Sequence, residues 1–264
     1  MSTEALSAVI TIGIDPMIQL GPVTLAWHGL TIAIGILIGG LLARAEMRAR
    51  GLDPEPLQTI ALILIVGAVV GSRAFYLAER GQLGDPGAWI SDRGFTFYGG
   101  FIVVALGLVA YIRSRGLSVE YLDASALGLT LGYGIGRIGD LINGEHYGPE
   151  TTFFLGVRNT HPDADVPRHD VAYHSGGLYE MLIGFGAFAI AMALRGRLRE
   201  RPTAMIWLVI ALIALGRFVE FFARSDSATE ALGLETAQWV SVGLILLAAG
   251  GAWITARRSR HRTG

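Results

Sequence analysis

The sequence predicts an all-α polytopic membrane protein of about seven transmembrane helices, N-terminus outside and C-terminus inside, with a small extracytoplasmic head between spans four and five. Three observations predict it: apolar runs of near-spanning length, arginines gathered at alternate ends of those runs, and one long polar segment among short connections. Of the 264 residues 52% are apolar and only 16% charged, against about a quarter charged in an ordinary soluble domain.

The apolar runs lie near 24–43, 57–78, 95–112, 121–141, 177–194, 203–223 and 236–255. Each is long enough, or nearly so, to cross ~30 Å of hydrocarbon at ~1.5 Å per helical residue. The first 22 residues lack a signal peptide's basic region and read as an external arm, either along the interface or disordered, broken from the first span at Gly21-Pro22. Pro54 and Pro56 suit the start of the second helix, and Gly81–Gly94 is a short external loop. The segment 143–175 is the exception to short loops, a polar stretch with Pro149, Pro162 and Pro167 and a strand or hairpin arm expected at 151–157. Loops of this length usually carry function, although a lid without chemistry is the plainer reading. The whole chain, 1–264, is thus one membrane domain with one head insert.

All 21 basic residues are arginine. Four clusters sit at alternate span ends: Arg44, Arg48 and Arg50; Arg113 and Arg115; Arg195, Arg197, Arg199 and Arg201; and Arg257, Arg258, Arg260 and Arg262. The opposite connections hold Arg80, Arg93, Arg158, Arg168 and Arg224. By the positive-inside rule the clusters are cytoplasmic, which requires an odd number of spans. The absence of cysteine excludes disulfides, thiolate metal sites and a cysteine nucleophile. The absence of lysine excludes Schiff-base chemistry and a Walker-type phosphate lysine. No nucleic-acid partner is expected.

Thirty-six glycines are many. Gly35/Gly39/Gly40, Gly67/Gly71 and Gly132/Gly136 fit the small-xxx-small spacing that lets membrane helices approach closely. Three arginines, Arg73, Arg137 and Arg217, lie within or at the ends of spans. A guanidinium there costs at least ~2.5–3.5 kcal/mol and needs an anion, a cavity or a route to the interface. Arg73 is near enough to its helix end to snorkel. Arg217, Glu220 and Arg224 share a helical face, so a structural Arg217–Glu220 pair is one reading.

The most specific segment is Gly136-Arg-Ile-Gly-Asp-Leu-Ile-Asn-Gly-Glu-His-Tyr-Gly148. Its glycines, Gly136 and Gly139 included, permit a sharply turned helix end. The polar groups of Arg137, Asp140, Asn143 and Glu145 then aim into one interfacial pocket. The forked donors of Arg137 suit a phosphodiester, while Asp140 and Glu145 suit orienting arginines or binding hydroxyls. Trp27-His28-Gly29, Phe97-Tyr98-Gly99-Gly100 and His174-Ser-Gly-Gly-Leu-Tyr179-Glu180 repeat the aromatic–polar theme near the external face. Interfacial anchoring is the plainer reading of each.

At these residues the sequence resembles the prolipoprotein diacylglyceryl transferases of bacteria. The family signature, roughly G-R-x-G-N-[FL]-x-N-x-E-x-x-G, matches residues 136–148 except for Asp140 in place of Asn. The resemblance continues at Gly21–Leu30, Gly71-Ser-Arg73, Phe97–Gly100, His174–Glu180 and Arg217–Arg224, and so covers about 15–255. It implies seven spans in the bacterial inner membrane, an external head, and an active site toward the extracytoplasmic side. It implies transfer of the diacylglyceryl group of phosphatidylglycerol to the lipobox cysteine thiol of a prolipoprotein, with glycerol 1-phosphate leaving and neither metal nor cofactor used. By motif match Arg137 and Arg217 take the phosphate-binding and transition-state roles. Arg73, Gly136, Gly139, Asp140, Asn143, Glu145, His174, Tyr179 and Glu220 are expected to line the substrate site. The family's first-span Tyr is His28 here, while Tyr98 stands where many members have His. His28 and Tyr98 are expected to exchange roles, which makes His28 the candidate base. Asp140 brings a negative charge near the lipid phosphate that Arg137 or another cation must neutralise. The alternative is a membrane protein of the same fold that binds or transports an anionic lipid or solute without transferase activity.

Overall fold

The computed structural model describes residues 9–90, 94, 96–224 and 231–260, without the side chains of 97, 98, 231 and 258–260. The elements run β1 (Ile10–Ile12), β2 (Met17–Leu20), β3 (Val23–Ala26), α1 (Trp27–Ala49), α2 (Pro56–Glu79), α3 (Pro86–Trp89), α4 (Phe97–Ser114) and α5 (Glu120–Asn143). Then come β4 (Tyr147–Glu150), β5 (Val157–Asn159), β6 (Tyr173–Ser175), α6 (Gly176–Leu198), α7 (Ala204–Glu220) and α8 (Thr236–Arg260).

Each apolar run of the sequence thus forms a helix. Five of these helices, α1, α2, α6, α7 with its 3₁₀ extension to Ala223, and α8, are long and apolar enough to cross a membrane. α4 adds a shorter apolar stretch, Gly99–Ser114. α5 is as long as α2, at 24 residues, but carries Glu120, Asp123, Arg137 and Asp140. Bilayer length is therefore legible in composition, whereas α5, the more polar long helix, holds Arg137 and Asp140, two of the charged residues expected in the site.

The chain forms two compact units, 1–43 with 122–264, and 44–121. In the second, α2 and α4 pack where a Cβ on Gly67 would lie 3.1 Å from Val104 and one on Gly71 would lie 2.6 Å from the Gly99 carbonyl. In the first, α1 lies backbone to backbone on α5. A Cβ on Gly35 would come 2.5 Å from the Gly132 carbonyl, and Gly39 meets Gly128 in the same way. Of the glycines predicted to pack, Gly40 meets nothing within 4 Å, and the nearest atom to a Cβ on Gly136 is Ile32 at 3.6 Å. Ala126, Leu127, Ala191, Met205 and Val209 form the buried core between α5, α6 and α7. There the wholly buried Asp123 accepts from the backbone N–H groups of Thr203 (2.6 Å) and Ile206 (2.9 Å), so α5 caps α7.

The small sheet region corrects the reading of the N-terminal arm. β1 pairs in parallel with β5, Ile10 opposite Val157, in a four-stranded sheet of order β1-β5-β6-β4. β2 and β3 form a separate hairpin, and Gly21, with φ +62, sits in its turn rather than breaking arm from span. Within 143–175 the strands lie at 147–150, 157–159 and 173–175, so that only Val157 of the stretch where one was expected is in a strand. On the exposed surface of this head, a hydrogen bond from Arg168 holds the Asp170 carboxyl below its ordinary range.

Candidate functional site

The site is built where α5 ends. Asn143 is its last residue, Gly144 takes φ +78, and the Glu145 N–H returns to the Asp140 carbonyl at 3.0 Å. This is the Schellman closure, and a Cβ at Gly144 would strain it. The head completes the cap, since Asn159 donates to the last carbonyls of α5, at Leu141 (3.0 Å) and Ile142 (3.1 Å). α6 starts beside it with Ser175 accepting from the Leu178 N–H at 3.2 Å.

Around this end the structure gathers Arg137 and Asp140 from α5, His28 from α1, Glu180 from α6 and Arg217 from α7. Glu180 is the hub, with only 1% of its side chain exposed. Its Oε2 lies 2.6 Å from Arg137 Nε, its Oε1 accepts from Arg217 Nη1, and Arg224 Nη1 stands 3.5 Å from that same oxygen. Two arginines 80 residues apart in sequence thus meet on the two oxygens of one carboxylate. Tyr133 joins them, accepting from Arg217 at 3.2 Å, with its ring 5.1 Å from the Arg137 guanidinium carbon.

Asp140 is 1% exposed and bridges an imidazole and a guanidinium: Oδ1 meets His28 Nδ1 and Oδ2 accepts from Arg137 Nη1. Its negative charge is therefore met by Arg137 and the imidazole. Two of the positions at which the motifs depart from the family pattern, His28 and Asp140, touch each other. Gly139 makes this contact, because a Cβ there would lie 2.7 Å from the His28 nitrogen and 2.5 Å from Thr31 Oγ1. Thr31 holds the crossing, donating to the Gly136 carbonyl (2.9 Å) and accepting from the Gly139 N–H (3.1 Å). Glu145 Oε2 stands 3.5 Å from His28 Nδ1, and its other oxygen accepts from Asn143 Nδ2 at 2.9 Å.

The remaining expected residues lie farther along. His174 Nδ1 and the Tyr179 hydroxyl are 2.6 Å apart. With the buried Glu220 they border a cavity of about 600 Å³ between α6 and α7, continued by apolar side chains such as Leu182, Ile190 and Leu215. Arg224 Nη1 lies 3.5 Å from Glu220, and its Nη2 lies 2.9 Å from His146 Nδ1. Arg73 belongs to the other compact unit. It is 4% exposed, and its guanidinium donates to the Gly94 carbonyl (2.8 Å) and to that of Ala88, tying down the connection after α2. Tyr98 lies in α4, and its side chain is outside the described residues.

Two trios of cation-ligand type occur among the described residues: Asp15, His161 and Asp163 on the head, and His28, Asp140 and Glu145 in the site. In the second, the Arg137 guanidinium already occupies Asp140, so a metal ion would meet fixed positive charge there.

Glu180, Tyr133 and Thr31 carry this geometry without having been singled out. The available signal was the arithmetic of buried charge: Arg137 and Arg217, each in an apolar run, need an anion, a cavity or a route to the interface, and Glu180 ends a motif already noted.

Comparison with known proteins agrees with the motifs. A family model described as prolipoprotein diacylglyceryl transferase matches residues 16–254. The phosphatidylglycerol–prolipoprotein diacylglyceryl transferase of Gloeobacter violaceus is 33% identical over 258 residues, covering 93% of this chain and 94% of that protein. That of Geobacillus kaustophilus is 35% identical, covering 91% of each. That of Bacillus cereus is 32% identical, covering 87% of each.

Proposed function

The chain belongs to the prolipoprotein diacylglyceryl transferase family, and on that premise we propose how its own residues carry out the transfer. The reaction moves the diacylglyceryl group of phosphatidylglycerol to a prolipoprotein cysteine. The thiol sulfur bonds to the glyceryl C3, the C3–O bond breaks, and glycerol 1-phosphate leaves.

As that bond breaks, the charge on the phosphate grows from about −1 toward −2. Arg137 and Arg217 stabilise it, and desolvation makes each charged donor worth more than in water. The observation that carries this assignment is their meeting on Glu180, which sets both guanidinium groups within the span of one headgroup. Glu180 fixes Arg137 through Nε, and Asp140 takes one hydrogen of Nη1. Of the five guanidinium N–H groups, those on Nη2 meet no acceptor among the described residues, so Arg137 keeps donors for phosphate. Asn143 and Glu145 serve the glycerol hydroxyls. His28 takes the thiol proton. The groove between α6 and α7, apolar below His174 and Tyr179, receives an acyl chain.

We read all seven long helices as crossings, N-terminus outside and C-terminus inside, with the site on the extracytoplasmic side and 143–175 as a head within one membrane domain. The arginine clusters support this orientation.

The test is thioether formation on a lipobox peptide with phosphatidylglycerol in detergent or vesicles. Arg137→Ala and Arg217→Ala each lower transfer by 10²-fold or more, on the order of losing one oxyanion-type donor. Undiminished transfer in either variant overturns that arginine's role. Phosphatidylglycerol binding without transfer by the unaltered protein would favour a lipid-binding or transport reading.

A further inference from the structure

The proposed step needs a group to remove the thiol proton, whose ordinary pKa is ~8.5. The site offers an imidazole whose two nitrogens are treated differently. His28 Nδ1 meets Asp140 Oδ1 and has Glu145 Oε2 at 3.5 Å, two carboxylates that only accept when ionised. No described residue bonds to Nε2, and 39% of the side chain is exposed although Asp140 beneath it is 1% exposed. A ring wedged this way must carry its hydrogen on Nδ1 when neutral, which leaves the Nε2 lone pair toward the open side.

Three features fix the arrangement. The Gly139–Thr31 crossing sets His28 against α5, and a larger residue at Gly139 would close the space. The carboxylate is held from its other oxygen by Arg137, so it cannot swing away. Burial keeps water from competing for it. The charged groups facing His28 are Asp140, Glu145 and Arg137, all from α5 and its cap.

We propose that Asp140 is a positioning residue that holds His28 in its Nδ1–H form, so that Nε2 is the base for the lipobox cysteine. This rests on the transfer reading given above and deepens it. The proton passes from sulfur to Nε2, the sulfur electron pair forms the S–C3 bond, and the C3–O pair departs on the phosphate. The imidazolium formed is stabilised by Asp140 and later returns its proton to the released phosphate or to water. This is the logic by which a carboxylate orients a histidine beside a nucleophile, with the nucleophile supplied by the substrate. Because Asp140 also holds Arg137, one carboxylate keeps the base and the phosphate grip in register.

The experiment compares the full-length wild type, His28→Gln, Asp140→Asn and the double variant. Each is assayed with a cysteine lipobox peptide and with the same peptide bearing selenocysteine, whose far more acidic selenol needs no base. Each single variant lowers kcat for the cysteine peptide by about 10²-fold, the scale of general-base catalysis; KM for phosphatidylglycerol is little changed in His28→Gln and rises in Asp140→Asn, which also loosens Arg137. The double variant is no worse than about threefold below the weaker single, since the two act as a unit. With selenocysteine the losses shrink at least tenfold. Nitrogen-15 NMR of His28 shows Nδ1 protonated in the wild type and loses that preference in Asp140→Asn.

Equal losses with both peptides, multiplying losses in the double variant, or an Nε2–H tautomer in the wild type would each overturn the proposal. His28→Gln lies at the exposed rim and keeps the test open should Asp140→Asn fail to fold, because its peptide comparison stands alone. If the wild type forms no thioether with either peptide, the transfer reading fails instead, and the tautomer still reports on the pair.

Discussion

Glu180 decides whether the two arginines are a site or a repulsion. Without its carboxylate, Arg137 and Arg217 would face each other across a desolvated space, and breaking a buried ion pair from one side costs about 3–5 kcal/mol. We predict that Glu180→Gln lowers transfer by roughly 10²-fold, because a neutral amide cannot neutralise two guanidinium groups. Purified protein assayed with phosphatidylglycerol and a lipobox peptide checks it, and activity within threefold of wild type would remove Glu180 from the site. Gly139→Ala is its steric counterpart. The added methyl meets the backbone of His28 and Thr31 Oγ1, so the variant loses about 1–3 kcal/mol of stability by overpacking and most of its activity, read by thermal unfolding and transfer together. At this scale much of the candidate site was legible in the sequence, because charged residues in apolar runs stand out: Arg137, Arg217, Asp140 and His28, which the structure brings together, were all visible. It did not show which anion the arginines share. Glu180 sits 43 residues beyond Arg137, and only the packing of α6 on α5 brings them together.

The elements that hold the site are joined by polar caps as much as by apolar faces. Asn159, on β5, supplies hydrogen bonds to two terminal carbonyls of α5. Asn159→Leu leaves those carbonyls without that donor, at a cost of about 1–3 kcal/mol, and loosens the turn that carries Asn143 and Glu145. Faster hydrogen exchange at 143–147 in the variant is the expected reading, and unchanged protection there would show that the head does not secure the helix end. Helices were legible because a run of twenty apolar residues allows few other structures in a bilayer. The strands were not. β1 has three residues and pairs with a segment 147 positions away, so its partner is set by tertiary packing that no local pattern encodes. The hairpin of β2 and β3 was readable in principle from Gly21 between two alternating stretches, but Gly21-Pro22 looked equally like a break.

For the whole molecule the open physical question is which way the chain crosses, and the arginines argue it. Thirteen of 21 lie in four clusters at the C-terminal ends of α1, α4 and α6, in the link from α6 to α7, and at the end of α8. Positive charge suits a helix C-terminus wherever it lies, so the helix dipole alone does not orient the protein. The proposed orientation rests on the alternation of the clusters along the chain, since the other connections hold only isolated arginines. The chain contains no cysteine, which makes a direct test clean. Asp163→Cys, on the head with 71% of the native side chain exposed, reacts with a membrane-impermeant maleimide on intact spheroplasts. Arg199→Cys, in the exposed link after α6, reacts only after permeabilisation. In inside-out vesicles the two exchange behaviour. Labelling of both residues from one side would break the odd number of crossings, and labelling of Arg199→Cys alone on spheroplasts would invert the protein. Inversion would put the Glu180 site on the cytoplasmic side, away from lipobox cysteines emerging after secretion.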